Sequence, residues 1–302
     1  MTIRQEKTKR TRTINMAQTY KQTYLWGVQE LAQAQITEAE LEARLLLEYV
    51  CRTDRNTLLV HGEREVSAEE YESYVNHISE RKKHVPLQYI TGVQEFMGLE
   101  FAVNGHVLIP RQDTEILVEE VMPHLHDGMR ILDMCTGAGC ILLSLLYYSN
   151  GCSGVGVDIS AEALAVAKEN AKRVMKLKND AFLPEFIQSD LFAELDEKSG
   201  SFEIIVSNPP YIKSDVICTL MPEVKDFEPH MALDGKEDGL FFYRQIISRA
   251  GNYLAGGGML FFEIGYDQGE DVRALMETAG YREVEIVKDY AGLDRVVYGS
   301  WR

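Results

Sequence analysis

Between Arg130 and Gly299 short apolar runs alternate with helix-length segments, and no other feature so narrows what this chain can fold into. Runs at 131–134 and 154–159 read as buried strands, with helices over 138–148 and 161–177 and Ser160 as the N-cap of the second. Strands follow at 185–188 and 202–206, then a long loop, a helix at 239–254, a strand at 259–264, a helix at 268–279, and strands at 284–288 and 295–299. Such alternation predicts an α/β domain, a mostly parallel sheet with helices on both faces. The last two strands are joined by six residues, too few for a crossover helix, so they pair antiparallel.

The rest of the 302 residues divides by pattern. Residues 1–15 carry Arg4, Lys7, Lys9, Arg10 and Arg12 against Glu6 alone among the acids, which predicts a basic, disordered tail. Residues 16–85 have a helical period. Thr37-Glu38-Ala39-Glu40 and Ser67-Ala68-Glu69-Glu70 each offer a capping box, and Leu41, Leu45 and Tyr49 recur on one face. This segment holds no acid/base or metal cluster and reads as a recognition or packing domain. At 86–110 the period changes, with Gly92, Gly98 and Gly105 punctuating runs at 99–103 and 106–109 that read as a β-hairpin linker. Residues 111–302 form the α/β domain.

Bulk properties exclude several classes. A net charge of −16 opposes a long non-specific grip on nucleic acid, because that affinity comes from neutralising phosphates. The longest apolar runs are too short to span a bilayer, and the basic N-terminus leads into polar residues rather than a secretory leader, so a cytoplasmic protein without membrane contact is expected. Cys51, Cys135, Cys140, Cys152 and Cys218 form no C-x-x-C pair and no zinc spacing, which predicts reduced thiols, mostly buried, and no metal.

Chemistry-bearing residues gather at the carboxyl ends of the strands, the edge where open α/β sheets bind ligands. After the first strand comes Asp133-Met134-Cys135-Thr136-Gly137-Ala138-Gly139, where glycines allow close backbone approach and a helix N-terminus offers free N–H groups. A dinucleotide fingerprint needs a third glycine three residues after Gly139, and Leu142 stands there. The loop better suits the methionine and ribose portions of S-adenosylmethionine. Asp158 ends the second strand, where a carboxylate can accept both ribose hydroxyls. Ser189-Asp190-Leu191 ends the third, with Asp190 as acceptor for an adenine amino group and Leu191 covering the ring. The same residues also fit a tight βα turn, a solvated Asp158 and an Asp190 turn cap.

Asn208-Pro209-Pro210-Tyr211 follows the fourth strand. Two prolines fix φ and remove two backbone donors, leaving rigid carbonyls beside an Asn amide and an aromatic ring. The Asn208 side-chain oxygen and the Pro209 carbonyl can each accept one N–H of a planar NH2 group, with Tyr211 against its flat face. A proline turn with a satisfied Asn is the plainer alternative.

With these segments the chain resembles the HemK/PrmC family, glutamine methyltransferases that modify peptide chain release factors. The shared segments are Pro86-Leu87-Gln88-Tyr89-Ile90-Thr91-Gly92, Val107-Leu108-Ile109-Pro110-Arg111, Asp113-Thr114-Glu115, the glycine loop, Asn208 to Ile212, and Glu263-Ile264-Gly265. The resemblance implies a class I S-adenosylmethionine-dependent methyltransferase fold, a Rossmann-like seven-stranded sheet with its last strand antiparallel, and a small helical N-terminal domain that recognises the release factor. It implies S-adenosyl-L-methionine as cofactor, S-adenosyl-L-homocysteine as product and the glutamine of a Gly-Gly-Gln loop as target. Carried over by position, Thr136 to Gly139 form the cofactor loop, Asp158 the ribose ligand and Leu191 part of the adenine site. Asn208 to Tyr211 would hold the glutamine amide, with Asn208 also bordering the cofactor.

The chain departs from the family pattern at Cys135 and Ala138 in the loop, and at Gln112, Leu191 and Ile264. A cysteine at the first loop position needs negative φ or some strain. Arg111 is a candidate partner for the cofactor carboxylate, for Asp113 or for Glu115, and equally a structural ion pair. Glu263 reads as a supporting carboxylate rather than a base, and His84, His106 and His230 have no partner pattern. Two rival readings use the same residues: a DNA adenine-N6 or RNA guanine-N2 methyltransferase, and a non-catalytic scaffold.

Overall fold

The computed structural model describes residues 18–178, 183–196 and 201–302, so the basic tail expected at 1–15 lies outside the described residues. The chain divides into two compact units, one ending at Thr91 and the other beginning at Gly92.

In the first unit, α1 (Tyr20–Gln33), α2 (Ala39–Cys51), α3 (Arg55–Val60), α4 (Ala68–Arg81) and α5 (Leu87–Thr91) follow in order. Leu31, Ala43, Leu46, Leu47, Tyr74 and Ile78 form its core. The Tyr74 hydroxyl, buried with its ring, donates to the Ala43 carbonyl at 3.0 Å. The Ser67–Glu70 capping box starts α4 as the sequence predicts. The one expected at Thr37 does not form, because the chain enters α2 one residue later, with Glu38 as an N-cap that makes no side-chain bond. A box at Thr19–Gln22 starts α1 instead.

The second unit opens with a hairpin of β1 (Val93–Phe96) and β2 (Leu99–Ala102). This corrects the pairing of 99–103 with 106–109. Met97 and Gly98 both take positive φ, 52° and 68°, and make a two-residue turn, so the partner of β2 precedes it. Glu115 accepts the Met97 N–H at 2.6 Å, and Tyr148 donates to the Met97 carbonyl at 2.6 Å, which holds a turn that a non-glycine residue resists.

Then come α6 (Asp113–Val121), β3 (Arg130–Met134), α7 (Cys140–Tyr148), β4 (Ser153–Asp158), α8 (Ala161–Lys178), β5 (Glu185–Gln188) and β6 (Phe202–Ser207). The chain continues through the short α9 (Pro222–Lys225) and α10 (His230–Leu233), then α11 (Phe241–Ala250), β7 (Leu254–Glu263), α12 (Gly269–Ala279), β8 (Arg282–Lys288) and β9 (Asp294–Ser300). Helix α6 was not legible as an element, though its apolar residues Ile116, Leu117, Val118 and Val121 all face the core.

Seven strands form one sheet in the order β5-β4-β3-β6-β7-β9-β8. Five run parallel, and β9 pairs antiparallel with both β7 and β8, the class I methyltransferase arrangement. Successive residues of a strand feed opposite faces. Leu132, Ile205, Leu260 and Phe262 pack on Tyr243, Ile246, Val272 and Met276 of α11 and α12. Ile131, Ile204, Val206 and Phe261 pack on Leu117, Ile141, Leu145 and Val174 of α6, α7 and α8. The chain leaves β3 outward to β4 and β5 and returns to β6 on its other side, so the direction of winding reverses between β3 and β6. Ligands bind at such a point.

The thiols are reduced, but only Cys140 among the five is buried. Cys51, Cys135 and Cys152 are half-buried and Cys218 is exposed in a short 3-10 helix (Ile217–Thr219), which corrects the expectation of mostly buried cysteines.

Candidate active site

Strand register assembles the site. Met134 of β3 pairs with Ser207 of β6, so the loop beginning at Cys135 leaves the sheet beside Asn208. Asp158 of β4 pairs with Gln188 of β5, which brings Ser189 and Asp190 next to Asp158. These strand ends border a cavity of about 340 Å3. Of the residues singled out in the sequence, Cys135, Gly137, Asp158, Asp190, Leu191, Asn208 and Pro210 line it, joined by Met134, Val157, Ile159 and Phe241. Thr136, Ala138, Gly139, Pro209, Tyr211 and Arg111 are not among its lining residues.

The glycine loop is tied from within. Asp133, fully buried, accepts from the Thr136 hydroxyl at 2.6 Å and from the Leu142 N–H at 3.4 Å. Thr136 therefore turns its side chain away from the cavity, and its own N–H donates to the Val157 carbonyl at 2.9 Å. Burial pushes the Asp133 carboxyl up to about 7. Gly137 and Gly139 take φ of 54° and 79°, as glycine permits. Cys135 takes φ of 64°, so the expected strain is present: a left-handed L-residue costs about 1–2 kcal/mol.

Asp158 accepts the Gly137 N–H through one oxygen and the Ser160 N–H through the other, each at 2.9 Å. Each oxygen keeps a lone pair for a ligand hydroxyl. Burial raises its carboxyl, against the three N–H groups of Ser160, Gly137 and Ile159. Ser160 caps α8 through its hydroxyl, 3.0 Å from the Ala163 N–H. Leu191 takes φ of 51°, and its carbonyl accepts from the Ser189 hydroxyl at 2.7 Å. A carboxylate for hydroxyls, apolar walls at Val157, Ile159 and Leu191, and a polar edge at Asp190 make a donor set that fits a nucleoside-bearing methyl donor.

On the β6 side, Pro209 and Pro210 are buried and Asn208 is half-buried. The Asn208 side-chain NH2 donates to the Thr114 hydroxyl at 3.3 Å, and Asn208 lines the cavity. The Tyr211 phenol donates to Glu263 at 3.3 Å, and Gln268 donates to the Tyr211 carbonyl at 3.1 Å. Gly235 and Gly239 press against the Tyr211 backbone. A Cβ at Gly239 would stand 2.5 Å from the Tyr211 oxygen, so only glycine lets the returning loop close there. Thr114 escaped notice as a site residue, since the sequence marks it only as part of the shared Asp113-Thr114-Glu115 segment and its contact to Asn208 spans 94 positions.

Arg111 pairs with the buried carboxylate of Glu228, not with Asp113 or Glu115. Asp113 pairs instead with Arg295 at 3.1 Å. Among the described residues no cluster of three or more His, Cys, Asp or Glu could hold a metal ion, and no helix is long and apolar enough to cross a membrane.

Residues 22–92 match the family described as PrmC N-terminal domain, and residues 111–221 match the methyltransferase small domain. The release factor glutamine methyltransferase of Clostridium acetobutylicum is 42% identical over 258 residues, covering 85% of this chain and 89% of that protein. That of Clostridium botulinum is 40% identical over 279 residues, covering 92% and 97%. Among solved structures, the release factor-specific protein-(glutamine-N5) methyltransferase of Alicyclobacillus acidocaldarius is 30% identical, with a TM-score of 0.39 over 67% of this chain and 99% of that one.

Proposed function

The chain belongs to the release factor glutamine methyltransferases, and from that membership we propose how its residues act. It transfers the methyl group of S-adenosyl-L-methionine to the side-chain amide nitrogen of the glutamine in the Gly-Gly-Gln loop of a peptide chain release factor, with S-adenosyl-L-homocysteine as the other product. The observation that carries the reading is the Met134–Ser207 register, which sets the glycine loop and Asn208 on adjacent strand ends around one cavity.

Asp158 holds the ribose hydroxyls, Asp190 and Leu191 the adenine, and the loop from Cys135 to Gly139 the methionine portion. When bound, this group supplies a methyl carbon made electrophilic by the positive sulfur. A primary amide is a poor nucleophile because its nitrogen lone pair is delocalised into the carbonyl. Asn208 Oδ1 and the Pro209 carbonyl accept its two N–H bonds, which raises electron density on nitrogen and fixes its direction of approach. Pro209 and Pro210 offer no N–H of their own, so nothing there competes for those acceptors. None of these residues needs to act as a base, since an alkylated amide nitrogen readily gives its proton to water. The helical unit up to Thr91 serves release factor recognition, and the protein works in the cytoplasm.

The test is incubation with radiolabelled S-adenosylmethionine and, separately, release factor, DNA and RNA. Label in the tryptic peptide carrying Gly-Gly-Gln is expected. Label confined to nucleic acid overturns the reading.

A further inference from the structure

Gln268 stands at the N-cap of α12, where Ser, Thr, Asp and Asn are preferred, yet its side chain makes no capping bond. It is buried, and a buried amide has to place two donors and an acceptor. None of the three goes to α12. Oε1 accepts the Gly265 N–H at 2.9 Å, and the NH2 group donates to the Tyr211 carbonyl at 3.1 Å and to the Gly239 carbonyl at 3.2 Å. A backbone N–H can only donate and a carbonyl can only accept, so no other orientation of this amide satisfies its partners. The packing leaves it little slack. A Cβ at Gly239 would stand 2.6 Å from Gln268 Nε2, and one at Gly265 2.9 Å from Oε1.

Each partner belongs to a different segment of the site. Tyr211 ends the Asn-Pro-Pro-Tyr run, whose Asn208 and Pro210 line the cavity. Gly239 closes the long excursion after β6, just before Phe241 and Phe242, which line the cavity too. Gly265 follows β7, whose last residue, Glu263, accepts from the Tyr211 phenol at 3.3 Å. Tyr211 is thus held at its ring and at its backbone from one strand end. Resting on the functional reading above, we infer that Gln268 is a positioning residue for methyl transfer: its NH2 pins the Tyr211 and Gly239 carbonyls together and so sets the spacing between the acceptors at Asn208 and Pro209 and the aromatic wall at Phe241 and Phe242. Two carbonyl oxygens turned toward one point repel unless a donor stands between them, and the amide supplies a proton to each. Pro209 and Pro210 have fixed φ, so a displacement at Tyr211 is carried back to the Pro209 carbonyl and Asn208 rather than absorbed. Gln268 does not line the cavity and acts through those two walls.

The experiment uses the full-length enzyme in two independent arms. The first is steady-state methylation of release factor by Gln268→Glu and Gln268→Met. Gln268→Glu keeps the side-chain length and an oxygen for the Gly265 N–H, but it has no proton for the two carbonyls when ionised and only one when neutral. Its kcat is expected to fall roughly ten- to a hundredfold. The KM for S-adenosylmethionine should stay within about threefold of wild type, because Asp158, Asp190 and the glycine loop stand on other strand ends. Gln268→Met lacks the acceptor as well and should lose no less. A role confined to starting α12 needs only the Gly265 acceptor, and Gln268→Glu would then keep wild-type kcat. That result overturns the inference, whether or not Gln268→Met folds. The second arm needs no substrate: hydrogen exchange at the amides of Ile212, Ser214 and Gly235. These donate to the carbonyls of Leu233, Lys236 and Ile212 at 3.0, 3.0 and 2.8 Å and knit the excursion to the Tyr211 segment. In Gln268→Glu they should exchange about tenfold faster or more than in wild type. Unchanged exchange also overturns the inference. A wild type that leaves release factor unlabelled, while this exchange responds to Gln268→Glu, defeats the functional reading and leaves the Gln268 clamp standing.

Discussion

The Gly137 N–H donates to the Asp158 carboxylate at 2.9 Å and so ties the turn after β3 to the end of β4. The Ser160 N–H fills the other oxygen at the same distance. The carboxylate that faces the cavity is thus immobilised before any ligand arrives, and the glycine loop takes its shape from it. Asp158 builds the site, and on the mechanism proposed above it also binds the ligand there.

Asp158→Ala should therefore show two losses. Two charge-assisted hydrogen bonds to ribose disappear, and cofactor affinity is expected to drop roughly 10–100-fold by calorimetry. The Gly137 and Ser160 N–H groups also lose their acceptor, which costs about 1–3 kcal/mol in urea unfolding. A variant that binds cofactor like wild type would remove Asp158 from the ribose site.

On the proposed mechanism, Asn208→Ala removes one of the two acceptors for the substrate NH2, while Asp158, Asp190 and the glycine loop stay in place. Turnover of release factor is expected to fall by roughly a hundredfold or more. The cofactor dissociation constant stays within about threefold of wild type, since the amide supplies orientation rather than most of the binding. Activity within a few-fold of wild type would falsify the role given to Asn208.

The left-handed backbone at Cys135 yields an ordering of two variants. Cys135→Gly removes a left-handed penalty of about 1–2 kcal/mol and adds about 0.4–1 kcal/mol of unfolded-chain entropy. Those two effects net to about 0–1.6 kcal/mol in favour of glycine, before the packing of the sulfur that either variant loses. Cys135→Ala keeps the strain and loses the packing of the sulfur. Unfolding midpoints should rank glycine above alanine, and the reverse order would show that φ at this position is not under strain.

Much of this was legible in the sequence because parallel strands and their crossovers leave local marks. The run at 185–188 matches β5 residue for residue, and Ser160 caps α8, since both depend on contacts within a few positions. Asp158, Asn208 and Pro210 could be placed at one cavity because the sheet's winding delivers strand ends to one edge. What escaped depends on partners distant in sequence. Thr114 meets Asn208 across 94 positions, and Arg111 meets Glu228 across 117, from a loop that no local pattern brings back. The hairpin was placed one strand too late because Met97, a residue that resists positive φ, is held in the turn by Glu115 and Tyr148.

That distant pairing of Arg111 separates two roles left open by the sequence. The guanidinium, partly exposed, neutralises a buried Glu228, whose carboxyl burial pushes up and Arg111 pulls down. Arg111→Ala should leave cofactor affinity within about threefold of wild type. It should lower stability by about 1–3 kcal/mol, the usual 3–5 for an orphaned buried partner being reduced by solvent at the exposed arginine. A large loss of cofactor affinity at unchanged stability would return Arg111 to the cofactor carboxylate.

Asp133 makes stability depend on pH in an unusual direction. One of its oxygens accepts from Thr136 and Leu142, while the other has no hydrogen-bond partner among the described residues. Burial without a cation raises its carboxyl to about 7 in the folded protein, against about 3.9 in an unfolded chain. Between those values the unfolded state has lost the proton that the folded state still holds, so unfolding releases a proton and the free energy of unfolding falls as pH rises. The limiting slope from this one group is about 1.4 kcal/mol per pH unit, and it flattens once the folded carboxyl has also ionised. Asp133→Asn removes the titration while keeping an oxygen for Thr136. The stability of wild type minus that of Asp133→Asn, from urea unfolding at matched pH, should therefore decline from about pH 5 to about pH 7 and level off above about pH 8. Groups common to both proteins cancel in that difference. A difference that stays flat, or climbs with pH, would mean that Asp133 is ionised in the fold and that an unseen partner stabilises its charge.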